Sequence, residues 1–191
     1  MKKSMWFTII FVVLAGSMQA FAFDGQRKGL FAGGGLGIGW ADLSGAADGY
    51  FQPGSAYGLG TAAKLGFGLS EQLVLFSSDR QTMYRESDGH NVTQGLTALG
   101  AMYFLKPTGP SAYFTAEFGS VARSEHTDHV SWFSGSDGQS GAGFGLGGGY
   151  EFGNHIAVEG NVSWGNVDDG YGSDPGHRIT NAIVTVGWLG F

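Results

Sequence analysis

Lys64, Glu117, Glu151 and Glu159 each stand as the one charge on the polar face of a segment whose opposite face is Leu, Phe, Ala or Val. Residues two apart on an extended chain project to the same side, so each charge is carried away from the apolar face. On a closed sheet that side is a narrow interior, where charges must find partners. Arg80 can join them, although Leu73 to Tyr84 accepts two phases: one turns Asp79 outward, the other Arg80. A bulge would settle the choice. With Arg80 inside, the five residues can form a salt-bridge and hydrogen-bond network that locks the wall. The competing chemistry is a charged gate or ion path, for which the surplus of carboxylates favours cations. A separate cluster, Glu125-His126-Thr127-Asp128-His129, sets two His three residues apart beside carboxylates. Glu125, His126, Asp128 and His129 are competent to hold a divalent metal, without the geometry of a structural zinc site. No other cofactor is expected: P-loop, dinucleotide fingerprint and His-Glu-x-x-His are all absent.

The elements that position these groups are strands. From Leu30 the chain alternates Leu30, Ala32, Leu36, Ile38 and Trp40 against Phe31, Gly33, Gly35, Gly37 and Gly39. The same period runs from Tyr57 to Leu69, from Ala112 to Val121, from Gly141 to Phe152 and from Ile156 to Trp164. Gln94 to Leu105 reads as a strand of open phase, as does the closing stretch, where Leu189 and Ile183 alternate with Trp188, Val186, Val184 and Ala182. Polar loops are expected at 41–55, 85–93, 123–140 and 166–177, and tight turns at Ser70-Glu71-Gln72, Lys106 to Pro110 and Gly153-Asn154. Long and short connections thus take turns between about eight strands, the pattern of a transmembrane barrel. Each strand has roughly the 9 to 11 residues that cross a bilayer at a tilt. Closure leaves no sheet edge for lipid to leave unpaired.

Outward aromatics fall near strand ends, as an interface girdle requires: Trp40, Tyr57 and Trp164 at the loop end, and Phe67, Phe114, Tyr150, Phe152 and Phe191 at the turn end. A soluble barrel of lipocalin type would reverse the two faces, and alternation alone is consistent with either. The girdle, the loop pattern and the aromatic terminus favour the membrane. The inward glycines of the first, second and sixth strands either relieve crowding in a curved wall or leave a wet lumen, with Tyr103 or Trp188 available to fill it from the far side.

Composition agrees. The chain has no Cys, which excludes disulfides and thiolate metal sites. Its 36 Gly lack a G-X-Y period, and 14% aromatic residues argue against disorder. Residues 1–22 read as a cleaved signal peptide: Lys2 and Lys3, an apolar run from Met5 to Ala15, then Ala20-Phe21-Ala22. Residues 23–191 would form the barrel domain. Losing Lys2 and Lys3 takes the formal charge from -6 to -8, which argues against nucleic acid as a partner.

Over Phe23 to Phe191 the pattern resembles the small outer-membrane β-barrels of OmpA/OmpX type, especially a group reading like LGAMYFLKPTGPSAYFTAEFG (Leu99 to Gly119) and GFGLGGGYEF (Gly143 to Phe152). The resemblance implies an all-β, antiparallel up-and-down barrel in the bacterial outer membrane, in contact with lipid and lipopolysaccharide. It implies a monomer, and assembly machinery that reads Phe191 as a C-terminal signal. It carries no agreed activity, so a structural or surface-interaction role without catalysis is expected. The alternative is a narrow porin-like channel or carrier for small solutes or cations. A third reading is a lipid A-modifying hydrolase: His129-Val130-Ser131 has the His-x-Ser spacing of lipid A deacylase barrels, but lacks the longer motif and a following Glu. The loop carboxylates, among them Asp42, Asp48, Glu86, Asp88, Asp137, Asp168, Asp169 and Asp174, can hold Ca2+ or Mg2+ beside lipopolysaccharide phosphates.

Overall fold

A computed structural model of the chain describes residues 26–45, 54–86, 89–126, 139–167 and 177–191. The expected signal peptide, Asp128, His129 and Ser131 lie outside the described residues, as do Asp48, Asp88, Asp137, Asp168, Asp169 and Asp174.

Eight strands follow one another: β1 (Gly29–Ser44), β2 (Gly54–Gly68), β3 (Leu73–Arg85), β4 (Asn91–Phe104), β5 (Ser111–His126), β6 (Gln139–Glu151), β7 (Ile156–Val167) and β8 (His177–Gly190). Each pairs antiparallel with its neighbours in sequence, and β8 returns to β1 from Ala32 opposite Gly190 to Ser44 opposite Arg178. The sheet is a closed barrel, so no backbone edge is left open. The strands run further into the loops than alternation predicted. β1 continues to Ser44, and β5 carries Arg123, Glu125 and His126 inside the sheet, because cross-strand pairing with β4 holds polar residues extended as well as apolar ones.

The open phases of β3, β4 and β8 are decided by what each face meets. β3 turns Val74, Phe76, Ser78, Arg80 and Thr82 inward, which leaves Asp79 outward. No bulge is involved: β3 keeps one-to-one register with β2 and β4 throughout. β4 turns Val92, Gln94, Leu96, Met102 and Phe104 inward. Tyr103 and Trp188, offered by the sequence as lumen fillers, point outward instead. Phe191, expected in the outer girdle, does the reverse: its ring is buried inside, 5.0 Å from Phe31 and 5.8 Å from Phe104 between centroids. The parity of Leu189 and Ile183 carries it there, since the other face of β8 is needed for lipid.

The outer wall is apolar. Leu36, Ile38 and Leu99 expose 64%, 68% and 72% of their surface, where a lipocalin-type barrel would bury such residues. Tyr57, Phe67, Phe114, Tyr150 and Phe152 are exposed on it near strand ends, and Trp40 and Trp164 share the same face, half-buried. No helix among the described residues is long and apolar enough to cross a membrane.

The inward glycines do not leave a wet lumen. A Cβ at Gly145 would stand 2.9 Å from a Leu96 methyl. One at Gly149 would stand 2.5 Å from the Tyr113 hydroxyl and 2.6 Å from the Val158 carbonyl. The glycines therefore make room for large side chains of neighbouring strands. Gly149→Ala is expected to destabilise the barrel by about 1–3 kcal/mol, while Gly160→Ala, where a Cβ meets nothing within 4 Å, should be near neutral. Urea midpoints of the two variants in lipid vesicles check this; equal shifts would contradict the packing account.

Candidate functional site

The interior is stratified. At the turn end an apolar layer includes Phe31, Val74, Phe76, Phe104, Leu189 and Phe191. At the loop end a second, interleaved with buried Thr82, Gln94 and Asn181, includes Leu43, Leu96, Val121, Val167 and Ile179. Between them four charges from four strands meet: Lys64 of β2, Arg80 of β3, Glu117 of β5 and Glu159 of β7, all buried.

Arg80 is the hub. Its Nε donates to Glu117 Oε1 and Oε2 at 3.1 and 3.0 Å, its Nη2 donates to Glu117 Oε1 at 2.8 Å, and its Nη1 pairs with Glu159 Oε1 at 2.6 Å. The planar fork thus ties two carboxylates that approach from different strands, which a lysine in its place would not do. Lys64 Nζ takes the remaining oxygen of Glu159, Oε2, which also accepts from the Tyr113 hydroxyl at 2.6 Å. Glu117 accepts further hydrogen bonds from Ser78 Oγ at 2.6 Å and Asn161 Nδ2 at 3.2 Å. Two positive and two negative charges cancel, and each carboxylate is engaged by several donors. That satisfies the condition under which buried charge is tolerable.

Glu151, grouped by the sequence with this set, belongs to a different site. It lies at the turn end with Arg27, whose Nη2 stands 2.7 Å from Glu151 Oε2. Arg27 also donates through Nη1 to the Lys106 carbonyl at 2.7 Å and through Nη2 to the Gly109 carbonyl at 2.6 Å, and its guanidinium sits 4.0 Å over the Phe104 ring. Its backbone N–H donates to Glu71 Oε2 at 2.9 Å. At the loop end Arg123 pairs with Glu86 at 2.6 Å. The expected surplus of inward carboxylates disappears once Arg27, Arg80 and Arg123 are inside. Sequence reasoning missed Arg27 because it precedes the first alternating segment, and Arg123 because the segment around it reads as loop. Tyr113 and Asn161 were reachable by parity alone, and Ser78 only once the phase of β3 is fixed.

A void of about 10 Å³ beside Lys64, Tyr113 and Glu159 is no larger than one water needs. Of the expected metal cluster, Glu125 and His126 lie at the end of β5, and the other two residues are outside the described ones. Among the described residues no group of three or more His, Asp or Glu is placed to hold a metal.

No protein-family model matches the chain, and no curated protein matches it by sequence. Solved structures do. Neisserial surface protein A superposes with a TM-score of 0.57 at 14% identity, over 85% of this chain and 99% of that one. Ail, the attachment invasion locus protein of Yersinia pestis, superposes with a TM-score of 0.52 at 10% identity over the same shares. A second Ail structure, in complex with the heparin analogue sucrose octasulfate, gives 0.51 at 13%. The chain has the fold of small eight-stranded outer-membrane barrels.

Proposed function

We propose that this barrel is a plugged integral protein of the bacterial outer membrane, non-enzymatic, which presents its outer loops at the cell surface for interaction there. The observation that carries the reading is the neutral Lys64–Arg80–Glu117–Glu159 layer closed between two apolar layers. A water path along the axis would have to pass both apolar layers and break paired charges. An eight-stranded barrel is ordinarily filled by its own side chains. The exposed apolar band and its aromatic rims are what a lipid setting requires.

The polysulfate bound by Ail does not transfer to this chain. The loop segments carry Asp42, Asp48, Glu86, Asp88, Asp137, Asp168, Asp169 and Asp174 against few cations, which repels a polyanion. Such carboxylates suit divalent cations shared with lipopolysaccharide phosphates, or a basic partner. Phe191 suits recognition by assembly machinery only before closure, since its ring ends inside the barrel.

Single-channel recording in a planar bilayer tests the reading. Silence is expected across many insertions whose folding is verified by heat-modifiable migration. Discrete, cation-selective steps would overturn it in favour of a narrow channel.

A further inference from the structure

We propose that two copies of this barrel associate side by side in the membrane through the outer face of β2, β3 and β4, with Asp79 at the centre of the contact. The inference rests on the membrane setting proposed above and departs from the monomer implied by resemblance. Its origin is the parity of β3: because Arg80 serves the lumen, Asp79 is forced onto the lipid side.

Its depth is set by register. Asp79 is the seventh of the 13 residues of β3. Tyr103 pairs with Leu73 at one end of the strand. At the other, Tyr57 lies two residues beyond Leu59, the partner of Met83, and so stands level with Arg85. The two tyrosines bracket Asp79 equally. At roughly 2.5 Å of height per residue of tilted strand, it sits about 15 Å from either rim, in the middle of the hydrocarbon band.

Its neighbours are small or polar. Ala63 and Thr97 are its register partners, and Ser77 and Gln81 flank it on the same face. Within the face Leu65 and Leu99 stand beside Ser77, and elsewhere the outer wall carries Leu36, Phe118, Leu146, Val162 and Val184. An ionisable group at this depth is costly and marks a function. The Thr97 hydroxyl donates to Asp79 Oδ2 at 3.3 Å, which leaves a carboxyl with four acceptor sites short of donors. Acyl chains supply none.

A second upright copy supplies them. Under a two-fold axis along the membrane normal the same patch meets itself at the same depth, so the Asp79 of each wall faces the Asp79 of the other, with Thr97, Gln81 and Ser77 of both walls around the pair. The pairing needs no cation, and this face offers none: between the two tyrosine levels β2, β3 and β4 carry no outward Lys or Arg. A carboxylic acid can hydrogen-bond its own copy in both directions, and a carboxylate can accept from Gln81 and Thr97. Short side chains at Ala63, Thr97 and Ala101 leave room beside Asp79 for the second wall, and Leu65 and Leu99 supply apolar packing next to it.

The absence of native cysteine makes the test clean. Protein purified from the outer membranes of an expression host and returned to phosphatidylcholine vesicles would carry Ser77→Cys, or Val162→Cys on the far wall, and be treated with a short bifunctional thiol reagent. Ser77→Cys should yield a covalent dimer and Val162→Cys should not. Adding Asp79→Leu to Ser77→Cys should weaken dimerisation about tenfold. Equal cross-linking at both positions, or an unchanged yield with Asp79→Leu, would overturn the proposal. So would cross-linking of Ser77→Cys in whole outer membranes to a foreign protein only, which would assign the patch to a different partner. Heat-modifiable migration of each variant separates the two readings: a folded barrel that stays monomeric ends this inference alone, whereas a chain absent from the membrane fraction ends both.

Discussion

Arg80→Met is expected to destabilise the barrel by about 3–5 kcal/mol, because it removes one cation and leaves two carboxylates buried against it. Glu117 would keep Ser78 and Asn161, and Glu159 would keep Lys64 and Tyr113, so hydrogen bonding survives while charge balance fails. The loss should therefore be electrostatic more than steric, and a second variant separates the two. Replacing the whole layer together, Lys64→Met, Arg80→Met, Glu117→Gln and Glu159→Gln, removes every charge at once. It should recover most of the stability that Arg80→Met loses, since a buried ion pair exchanged for neutral groups of similar volume is often nearly neutral. Urea titrations in phospholipid vesicles, followed by tryptophan fluorescence and by heat-modifiable migration, supply both numbers. A loss below about 1 kcal/mol for Arg80→Met would place the layer in the class of solvated surface pairs and remove the lock from the account.

Arg27→Ala should cost about 3 kcal/mol, at the lower end of the range for a broken buried pair, because the turn-end mouth lets water reach part of what is exposed. The side chain joins four separate pieces: its own N-terminal segment, the β2–β3 turn through the Glu71 carbonyl, the β4–β5 turn through Lys106 and Gly109, and the end of β6 through Glu151. Truncation leaves Glu151 with the His155 imidazole at 3.5 Å and strips the Phe104 face of its cation. The effect should be local as well as global. Amide exchange at Lys28 to Phe31 and at Leu69 to Leu73 should accelerate ahead of the barrel as a whole. Arg27→Lys should recover only part, because an ammonium cannot reach the carboxylate and both turn carbonyls with one fixed fork. Uniform acceleration of exchange along all eight strands would argue against a latch at this end.

The two sites differ in how far they could be read from residues alone. Lys64, Glu117 and Glu159 were assigned inward because an extended chain has a period of two, and that parity survives any detail of closure. The same rule placed Trp40, Tyr57, Phe67, Phe114, Tyr150, Phe152 and Trp164 on the outer wall. It failed to decide for β3, where each candidate face carries apolar residues next to a charge, for β4, and for β8, whose two faces are equally apolar. For β3 and β8 the decision belongs to residues on other strands. Glu117 and Glu159 draw Arg80 inward, and Phe31 and Phe104 receive Phe191. Arg27 could not be read at all, since it stands outside any periodic segment and its partners come from turns distant in sequence.

The class of fold, the number and direction of its strands, the end at which its loops gather and the faces of its well-patterned strands are legible in the residues alone. All of these follow from local alternation and from the residues that break it. Who meets whom inside comes only with the closed barrel: Lys64 and Arg80 share Glu159, Glu151 leaves that set for Arg27, and Asp79 turns to the outer wall. Periodicity says which side of a sheet a residue occupies, but contact across a barrel depends on how the strands stagger when the sheet closes, and that stagger is a property of all eight together.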